Sequence, residues 1–289
     1  MPTPIDPRGK DNPSQYFVED RSSNAEMIRQ MIQDSTVTAG MGGPLSEQLD
    51  PAALHRVLDI GCGPGGWILE AARLYPHMEL VGIDISWRMI AYARAQAQAQ
   101  KLTDGVEFRV MDALRPLEFP DDSFDLINMR FGFSFLLVKD WPGLLRELLR
   151  VSRPGGVVRV TDGTIGQSTS PAFNRINQMF SCALYRSGHH PTEQSGMTHE
   201  LPRLLSESGF QQVQTKDHTL ELVAGTVGGQ NFYQDMMFAM QTGKPFIHKW
   251  GCGTEDYDAL YEQALIEMQQ PDFRVTWPLV TAWGRAPTA

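Results

Sequence analysis

Apolar and polar positions along the middle of this chain follow a pattern that switches repeatedly between strand and helix. Short apolar runs predict strands at residues 56–60, 79–84, 106–111, 124–129 and 157–161. Helical spacing fills the intervals, at 67–75, at 87–100 behind the capping residue Ser86, and around Leu144–Leu149. Strands that alternate with helices in this way indicate an α/β fold, in which helices cover both faces of a parallel sheet.

The segment before this core predicts a separate helix. Residues 1–15, rich in Pro, Asp and Asn, indicate a loose tail, and Ser22 or Ser23 would cap the helix that follows. The apolar residues of that helix occur at core-facing spacing: Ala25, Met27, Ile28, Met31 and Ile32. A glycine-rich linker at 39–44 would end it. We therefore divide the chain into an N-terminal part, 1–49, and one main domain, 50–289.

The pattern loosens after the strand at 157–161. Helices are predicted near 172–185 and at 201–208, the second ending at Gly209, and strands at 211–223 and 273–283. Pro278 in the last strand suggests an edge position or a bulge. Two further helical stretches are predicted within 230–270, with breaks at 243–245 and 251–253. We interpret 50–165 as the core and 166–205 and 225–270 as insertions into it.

Composition and charge narrow the range of partners. The chain has 289 residues, a net charge of −9 and no basic run, which argues against nucleic acid or an anionic membrane as a partner. It has neither a signal-type N-terminus nor an apolar stretch long enough to cross a membrane, so we expect a cytoplasmic protein. Its three cysteines, without CxxC spacing, predict no disulfide framework and no structural zinc, and they favour a reducing compartment.

Candidate chemistry begins at the glycine-rich turn after the first strand. Gly61, Gly63 and Gly66 satisfy the spacing of a dinucleotide fingerprint, and Asp84 follows where such a fingerprint requires a ribose-binding acid. A helix N-terminus behind a glycine turn offers backbone N–H groups to a polar or anionic ligand. At this point two interpretations stay open: a nicotinamide or flavin enzyme, and a protein that binds another adenosine-type ligand on a similar fold.

Five stretches in order resemble the motifs of class I S-adenosylmethionine-dependent methyltransferases of the small-molecule type, with a core like that of the quinone-biosynthesis enzymes. They are 58–65, 81–86 with Met89, 111–113, 119–125 and 150–156, where Ser152 replaces the commoner Leu. A dehydrogenase would not be expected to carry the last three. The resemblance implies a doubly wound, Rossmann-like, seven-stranded sheet, mostly parallel with an antiparallel last strand, and helical cap additions. It also implies S-adenosylmethionine as the cofactor.

The resemblance also implies a role for each motif residue. Asp84 would accept hydrogen bonds from both ribose hydroxyls, because a carboxylate has two acceptor oxygens. Ile85 and Met89 would enclose the adenine, while Asp112 and the Ala113 N–H would contact its edge. The full set of implied cofactor-binding residues is Tyr16, Asp59, Gly61, Cys62, Gly63, Asp84, Ile85, Met89, Met111, Asp112, Ala113, Asn128 and Arg130. For each acid, a surface helix cap or loop carboxylate is the alternative interpretation.

Within this set, four residues would lie near the reactive end or the lid. Asp59 would anchor the amino group of the cofactor or simply order the turn. Asn128 and Arg130 would face the reactive end, although Arg130 could equally pair with an acid of the wall. Tyr16 would contact the cofactor from the N-terminal segment, which closes over the site in related enzymes and makes residues 1–49 a tail and lid helix.

Catalytic candidates are fewer, because methyl transfer requires a general base only when the acceptor must lose a proton. His189, His190 and Asp162 are the candidates for that role. For the histidine segment, which extends to His199, an exposed polar loop and, with Glu193, a metal site are the alternatives, and we predict no metal. Aromatic residues outside the core suggest an apolar pocket: Tyr16, Phe17, Phe131, Phe133, Phe135, Tyr185, Phe232, Tyr233 and Trp250.

The predicted function is methyl transfer from S-adenosylmethionine to a small, apolar or aromatic metabolite at oxygen, nitrogen or carbon. One alternative is an S-adenosylmethionine-binding protein that transfers no methyl group or catalyses a non-transfer reaction. The other is an NAD-type oxidoreductase. The partner would be a small-molecule acceptor, with no nucleic acid and no membrane. The insertion at 225–270 would form part of the substrate cap, a homodimer contact, or both.

Overall fold

A seven-stranded sheet runs through the computed structural model, which describes residues 16–18, 24–48, 50–164 and 166–288. Its strands are β1 (Arg56–Ile60), β2 (Glu79–Asp84), β3 (Val106–Val110), β4 (Phe124–Arg130), β5 (Ser152–Gly163), β6 (Gln211–Val223) and β7 (Arg274–Arg285). The order is β3-β2-β1-β4-β5-β7-β6, and β7 runs antiparallel to both of its neighbours while the other pairs are parallel. The predicted sheet, mostly parallel with an antiparallel last strand, is confirmed.

Helices cover both faces of this sheet. They are α1 (Asn24–Gly40), α2 (Gly66–Leu74), α3 (Trp87–Ala99), α4 (Trp141–Val151), α5 (Pro171–Arg186), α6 (Leu201–Glu207), α7 (Val227–Lys249) and α8 (Tyr257–Glu267). Val57 of β1 packs with α2 and α3 on one face, and Leu58, the next residue, packs with α4 and α6 on the other. Side chains of a strand alternate between faces, so one short apolar run serves both layers of the core.

A third cluster of apolar residues lies beyond the carboxyl end of β5. There the pairing of β6 with β7 continues to Val223 and Arg274, whereas β5 pairs with β7 only as far as Leu279. Helices α5, α7 and α8 pack against this extension, with Phe173, Phe232 and Trp277 among the buried residues. Helices α5, α7 and α8 therefore form one helical layer at the end of the sheet where the parallel strands terminate.

Two local predictions about proline are corrected. The predicted helix break at 243–245 is wrong, because α7 continues through Pro245 and ends only at Lys249, before Gly251. Proline removes one helical N–H, but Phe246 and Ile247 in the next turn are buried and hold the helix in place. Pro278 lies in β7, an interior strand, one residue beyond its last pair with β5; there it pairs with β6, and its carbonyl accepts a hydrogen bond from the Thr164 N–H at 3.3 Å on the other side.

The prediction that the cysteines form no disulfide is also wrong. Cys182 of α5 is bonded to Cys252, just after α7, with their Cα atoms 6.0 Å apart. Seventy residues separate the two in sequence, so no short spacing motif marks the pair. Cys62 is the free cysteine and is buried. The bond joins two helices of the cap.

Helix α1 is turned opposite to its predicted orientation. Glu26 and Arg29 are buried, whereas Ile28 and Met31 are 43% and 37% exposed. Ala25, Met27 and Ile32 are half-buried, so the predicted apolar stripe is not the inward face, and polar residues instead face the rest of the protein. The predicted caps Ser22 and Ser23 lie outside the described residues, as do residues 1–15.

Two predicted helix boundaries are confirmed. The hydroxyl of Ser86 accepts a hydrogen bond from the N–H of Met89 at 3.4 Å, as an N-cap residue does. Gly209 follows α6 with φ of +100°, a conformation that glycine adopts without strain. Within the described part of the chain, no helix has the length and apolar character needed to cross a membrane.

Candidate functional site

A cavity of about 480 Å³ lies at the carboxyl ends of β1, β2, β3 and β4, beneath α1, α5 and α7. Its volume falls within the usual range of small-molecule sites, ~300–1,000 Å³. Open α/β sheets bind ligands in this position, outside the carboxyl ends of their strands. All but one of the predicted cofactor residues line it, the exception being Asn128.

The glycine turn forms the floor of the cavity. Gly61 and Gly63 have φ of +67° and +52°, in the left-handed region that disfavours side chains. A Cβ at Gly61 would also meet the Phe135 ring at 3.1 Å, and one at Gly63 would meet Oε1 of Gln30 at 2.6 Å. The two glycines therefore let the side chains of Phe135 and Gln30 pack directly against the turn, where a Cβ would collide with them.

Asp84 connects this turn to the end of β2. Its carboxylate accepts a hydrogen bond from the N–H of Gly63 at 3.0 Å and another from the N–H of Ser86 at 2.7 Å. The next wall is made of Ile85 and Met89, followed by the segment 111–115 after β3. The acid predicted to bind ribose thus lies between the glycine turn and an apolar wall.

Asp59 reaches the floor of the cavity from β1 and is almost completely buried. Nδ2 of Asn128 donates to Oδ1 of Asp59 at 2.6 Å, and Oδ1 of Asn128 accepts from the guanidinium of Arg159. Arg159 in turn forms a fully buried ion pair with Glu47 at 2.5 Å. Burial raises the pKa of Asp59 to about 7, against the opposing effect of the Asn128 hydrogen bond.

The placement of Asn128 corrects a prediction. Asn128 is fully buried and does not face the reactive end, because it lies two residues before the end of β4 and its amide bridges Asp59 and Arg159. Arg130, at the end of the strand, does line the cavity. There it forms an ion pair with Asp34 of α1, and its Nη1 donates to Oγ1 of Thr38 at 2.9 Å. The alternative interpretation of Arg130, in which it pairs with an acid of the cavity wall, therefore agrees with the structure.

Helix α1 closes one side of the cavity with polar residues. Arg29 donates through Nε to Oε2 of Glu26 at 2.8 Å and through Nη1 to Oδ1 of Asp235 in α7 at 3.0 Å. The hydroxyl of Tyr16 donates to Oε1 of Glu26 at 2.5 Å. Burial and the nearby Glu26 carboxylate raise the pKa of Tyr16 well above its ordinary value, so it remains a phenol. Glu26 and Arg29 thus tie α1 to both α7 and Tyr16.

Sequence reasoning missed the contribution of α1 to the wall. Its cavity-lining residues are Arg29, Gln30, Gln33 and Asp34. They occur at the spacing of one helix face, so a polar stripe was visible in the sequence. The prediction instead used the apolar stripe as the inward face, since apolar residues more often form the core.

The side of the cavity away from the glycine turn is apolar. Its lining residues there come from five separate parts of the chain: Phe17, Phe131, Phe133, Ile176, Phe180, Met236, Met240, Ile247 and Trp277. Phe131 stacks on Trp277 with ring centroids 6.0 Å apart. Tyr185 is instead 47% exposed, and Phe232, Tyr233 and Trp250 do not line the cavity.

The three catalytic candidates lie outside the cavity lining. His189 and His190 are buried, so the expected exposed loop is wrong, and burial with the neighbouring His189 lowers the pKa of His190 to about 4. The His190 ring packs on Phe133 at 5.4 Å. Asp162 is fully buried and accepts from the N–H groups of Gly163 and Phe133 at 2.8 and 3.3 Å. In the described part of the chain, no group of three potential metal ligands occurs.

Comparison with known proteins agrees with this geometry. Residues 57–156 match the family model of a methyltransferase domain. Over 178 residues the chain is 33% identical to phosphoethanolamine N-methyltransferase 3 of Arabidopsis thaliana, covering 60% of this chain and 32% of that protein. Over 102 residues it is 40% identical to demethylmenaquinone methyltransferase of Deinococcus radiodurans, covering 35% of this chain and 40% of that protein. The chain thus spans about a third of the length of the plant relative.

A solved structure shows the same fold. The chain superposes on phosphoethanolamine N-methyltransferase 2 of Haemonchus contortus, solved with phosphomonomethylethanolamine and S-adenosylhomocysteine, with a TM-score of 0.52 and 19% identity. The match covers 96% of this chain and 61% of that one. Fold, glycine turn and family match define a nucleotide-type ligand site on a Rossmann-like sheet. Residues 57–156 match a methyltransferase domain, and the comparisons support the class I S-adenosylmethionine-dependent type, whose cofactor is S-adenosylmethionine.

The residues of the floor fit this cofactor. Gly61 and Gly63 line the cavity without side chains, so a ligand there would have access to their backbone atoms. Asp59 and Asp84 place two carboxylates on the floor, beside which an ammonium group and neighbouring hydroxyls would be accommodated. The nicotinamide or flavin interpretation of the glycine turn finds no support in these comparisons.

Proposed function

We propose that this protein transfers a methyl group from S-adenosylmethionine to a small apolar or aromatic metabolite at oxygen, nitrogen or carbon. One observation carries the proposal: the same cavity is lined by the glycine turn with Asp84 and, farther on, by aromatic residues that include Phe131 and Trp277. A cofactor on the floor and an acceptor against the aromatic wall would therefore share one enclosed space.

We assign the cofactor contacts as follows. Asp84 binds the ribose hydroxyls, Ile85 and Met89 enclose the adenine, and Asp112 with the Ala113 N–H contacts its edge. Asp59 holds the amino group, and its buried hydrogen bond to Asn128 fixes the carboxylate in place. Tyr16 and the cavity-lining residues of α1 cover the bound cofactor, since they line the same cavity and Gln30 lies directly against the glycine turn.

The protein contributes orientation and exclusion of water. When bound, S-adenosylmethionine would supply an activated methyl group on its sulfonium, and the acceptor would supply the electron pair for the new bond. Phe131, Phe133 and Trp277 hold the acceptor in line and keep the site dry. Such positioning is worth up to ~7–11 kcal/mol of the barrier. An acceptor that is already nucleophilic requires no base, consistent with His189 and His190 lying outside the cavity lining.

Charge in the cavity favours an apolar acceptor over a phosphorylated one. Two relatives are named for phosphoethanolamine, whose recognition would require cationic groups without anionic partners. Here the buried Arg29 pairs with Glu26 and Asp235, and Arg130 pairs with Asp34. These carboxylates neutralise the two buried guanidinium groups, which leaves the aromatic wall as the main recognition surface.

The remaining architectural predictions become part of this proposal. Residues 1–49 serve as tail and lid helix, 50–165 as cofactor core, and 166–205 and 225–270 as substrate cap. Cavity-lining residues of α1, α5 and α7 support this division. The homodimer contact at 225–270 and the cytoplasmic location remain predictions.

Calorimetric titration with S-adenosylmethionine and S-adenosylhomocysteine tests the cofactor assignment. We expect both to bind, and Asp84→Asn to weaken binding about 10- to 100-fold, because a charged acceptor becomes an amide with one acceptor oxygen. Asp104→Asn, at an exposed loop position, is the matched control and leaves binding unchanged. A folded protein that binds neither compound would refute the proposal. Release of S-adenosylhomocysteine with aromatic acceptors then tests transfer.

A further inference from the structure

A row of three polar side chains crosses the interior of the sheet. Asp59 of β1, Asn128 of β4 and Arg159 of β5 occupy paired positions on three neighbouring strands, so their side chains point to the same face. All three are buried, and Asp59 is the one of them that lines the cavity. Burying such groups is costly unless each is paired, and in this row the pairing leads to the cavity floor.

The contacts of Asn128 determine which end of its amide faces Asp59. Nη1 of Arg159 donates to Oδ1 of Asn128, and Nδ2 of Asn128 donates to Oδ1 of Asp59 at 2.6 Å. A guanidinium group has donors but no acceptor, so it binds only the carbonyl oxygen of the amide. The amide nitrogen is thereby turned towards Asp59, where a hydrogen-bond donor favours the carboxylate over the protonated acid.

Arg159 is in turn held in place by Glu47. The two form an ion pair at 2.5 Å in which neither side chain is exposed, and Nη2 of Arg159 donates to Oγ1 of Thr161 at 3.5 Å. Arg130, whose pKa is lowered by burial and by the nearby charge of Arg159, is paired with Asp34. Glu47 therefore both orients the Arg159 guanidinium and partly compensates its charge.

Other groups around Asp59 disfavour its charged form. Burial, the largest effect, and the Asp84 carboxylate raise the pKa of Asp59, whereas the Asn128 hydrogen bond and the Arg159 charge lower it, with a net value of about 7. Burial, with the Asp84 and Asp59 carboxylates, also raises the pKa of the Cys62 thiol well above its ordinary value, so the thiol stays neutral. Asn128 and Arg159 thus oppose the effects of burial and of Asp84.

We propose that Arg159 is a positioning residue, which acts through Asn128 to orient the Asp59 carboxylate for the ammonium group of S-adenosylmethionine. This inference rests on the proposed function, in which Asp59 holds the amino group of the cofactor. Arg159 does not line the cavity, so its effect on a ligand passes through Asp59. An ammonium group carries a positive charge and has only donors, so it binds the carboxylate in preference to the protonated acid.

The pH dependence of ligand affinity tests this role. Calorimetry on the full chain from pH 6 to pH 8.5 compares S-adenosylhomocysteine with an analogue in which hydrogen replaces the α-amino group. We expect wild type to bind S-adenosylhomocysteine more tightly as pH rises through about 7, because Asp59 becomes ionised. Affinity for the analogue should not rise, since it has no ammonium group to bind the carboxylate.

Two variants should move the midpoint of this pH profile in opposite directions. Glu47→Gln/Arg159→Met removes the ion pair as a whole and raises the midpoint by about one pH unit or more. Affinity for S-adenosylhomocysteine at pH 7 then falls about 5-fold, because the ionised fraction of Asp59 drops from about a half to about a tenth. Glu47→Gln by itself leaves the Arg159 charge uncompensated, so it lowers the midpoint and strengthens binding at pH 6.

Glu147→Gln/Arg150→Met is the matched control. It removes a partly buried ion pair outside the cavity lining, so the midpoint stays at the wild-type value even where the melting temperature falls. A wild-type midpoint in Glu47→Gln/Arg159→Met or in Glu47→Gln overturns the proposal. So does an equal loss of affinity for the analogue in the double variant, which would indicate general damage to the site. A wild-type protein that binds no S-adenosylhomocysteine instead refutes the proposed function.

Discussion

Asp162 is a carboxyl group in an environment that disfavours its charge. It is fully buried, and among the described residues it accepts hydrogen bonds from the N–H groups of Gly163 and Phe133. Burial raises the pKa of Asp162 to about 7, because two neutral donors only partly replace the lost water. Asp162 lies beside Phe133 and does not line the cavity, so we expect its ionisation to affect the stability of the fold rather than the reaction.

The stability of the protein should therefore carry a pH dependence from Asp162. Its pKa in the folded state, about 7, lies above the unfolded value near 4, so the folded state binds the proton more tightly. The contribution of the protonated group to the free energy of unfolding is present at pH 4–5 and is lost as pH rises through about 7. Asp162→Asn cannot titrate, so its melting temperature relative to wild type should rise between pH 5 and pH 8.

Thermal unfolding of both proteins across this range measures the difference directly. Comparing the two curves removes the contributions of other acids, such as Asp59, whose pKa burial also raises. A difference between wild type and Asp162→Asn that stays constant from pH 5 to pH 8 would show that Asp162 is ionised throughout.

At the residue scale, the sequence predicted which side chains lie close together but not which groups each of them contacts. Motif spacing brought Asp59, Gly61 and Asp84 to one cavity, since consecutive strand ends of a parallel sheet lie together. Asn128 shows the limit of this reasoning. Its place on β4, beside β1, could be predicted from the sequence. Its hydrogen bond to the buried Arg159 could not, because Arg159 is itself paired with Glu47 from a distant segment. No local pattern in the sequence indicates such a partner.

At the element scale, α1 is held by buried charge as well as by apolar packing of the fully buried Val37. Arg29 lies between two buried carboxylates, Glu26 and Asp235, so removing it leaves uncompensated buried charge. We expect Arg29→Met to lower the free energy of unfolding by about 3–5 kcal/mol. Met31→Gln, on the exposed face of the same helix, should change it by less than about 0.5 kcal/mol. Urea denaturation measures both, and a larger effect at Met31 would mean that α1 packs the other way round.

The disulfide gives a second prediction at this scale. Cys182 and Cys252 close a loop of about 70 residues, for which chain-entropy arguments give a stabilisation of about 4 kcal/mol. Wild type should lose several degrees of melting temperature in dithiothreitol. Cys252→Ser should begin at the lower value and not respond to the reductant. Equal melting temperatures of oxidised and reduced wild type, with the bond verified by mass spectrometry, would contradict this expectation.

The elements themselves were largely predictable. The strands at 79–84 and 211–223 match β2 and β6 residue for residue, because apolar runs and alternating patterns set strand limits locally. The helix break predicted at Pro245 was wrong. Proline is a strong local signal for a break, but burial of the next helical turn holds the helix together here. The orientation of α1 and the pairing of Cys182 could not be predicted from the sequence, since both depend on contacts between segments far apart in sequence.

At the scale of the whole molecule, the cavity draws its walls from sheet, cap and N-terminal helix together. A ligand bound there should stabilise the entire fold. At 100 times its dissociation constant, S-adenosylhomocysteine should add about 2.7 kcal/mol, which corresponds to about 5–10 °C in melting temperature. Differential scanning with Asp84→Asn as control should show a smaller shift at the same concentration. An equal shift with NAD would reopen the question of the cofactor.

The order of strands in the sheet also has a consequence for biosynthesis. Strand β6 pairs with β7 alone, and β7 ends roughly 60 residues farther along the chain. At ribosomal rates of about 5–20 residues per second, β6 waits about 3–12 s for its partner. Its sequence is polar over most of its length, with Lys216 and Asp217 exposed near its middle. Charged residues of this kind discourage pairing with other nascent chains, so β6 carries its own protection against aggregation during the interval before the sheet can close.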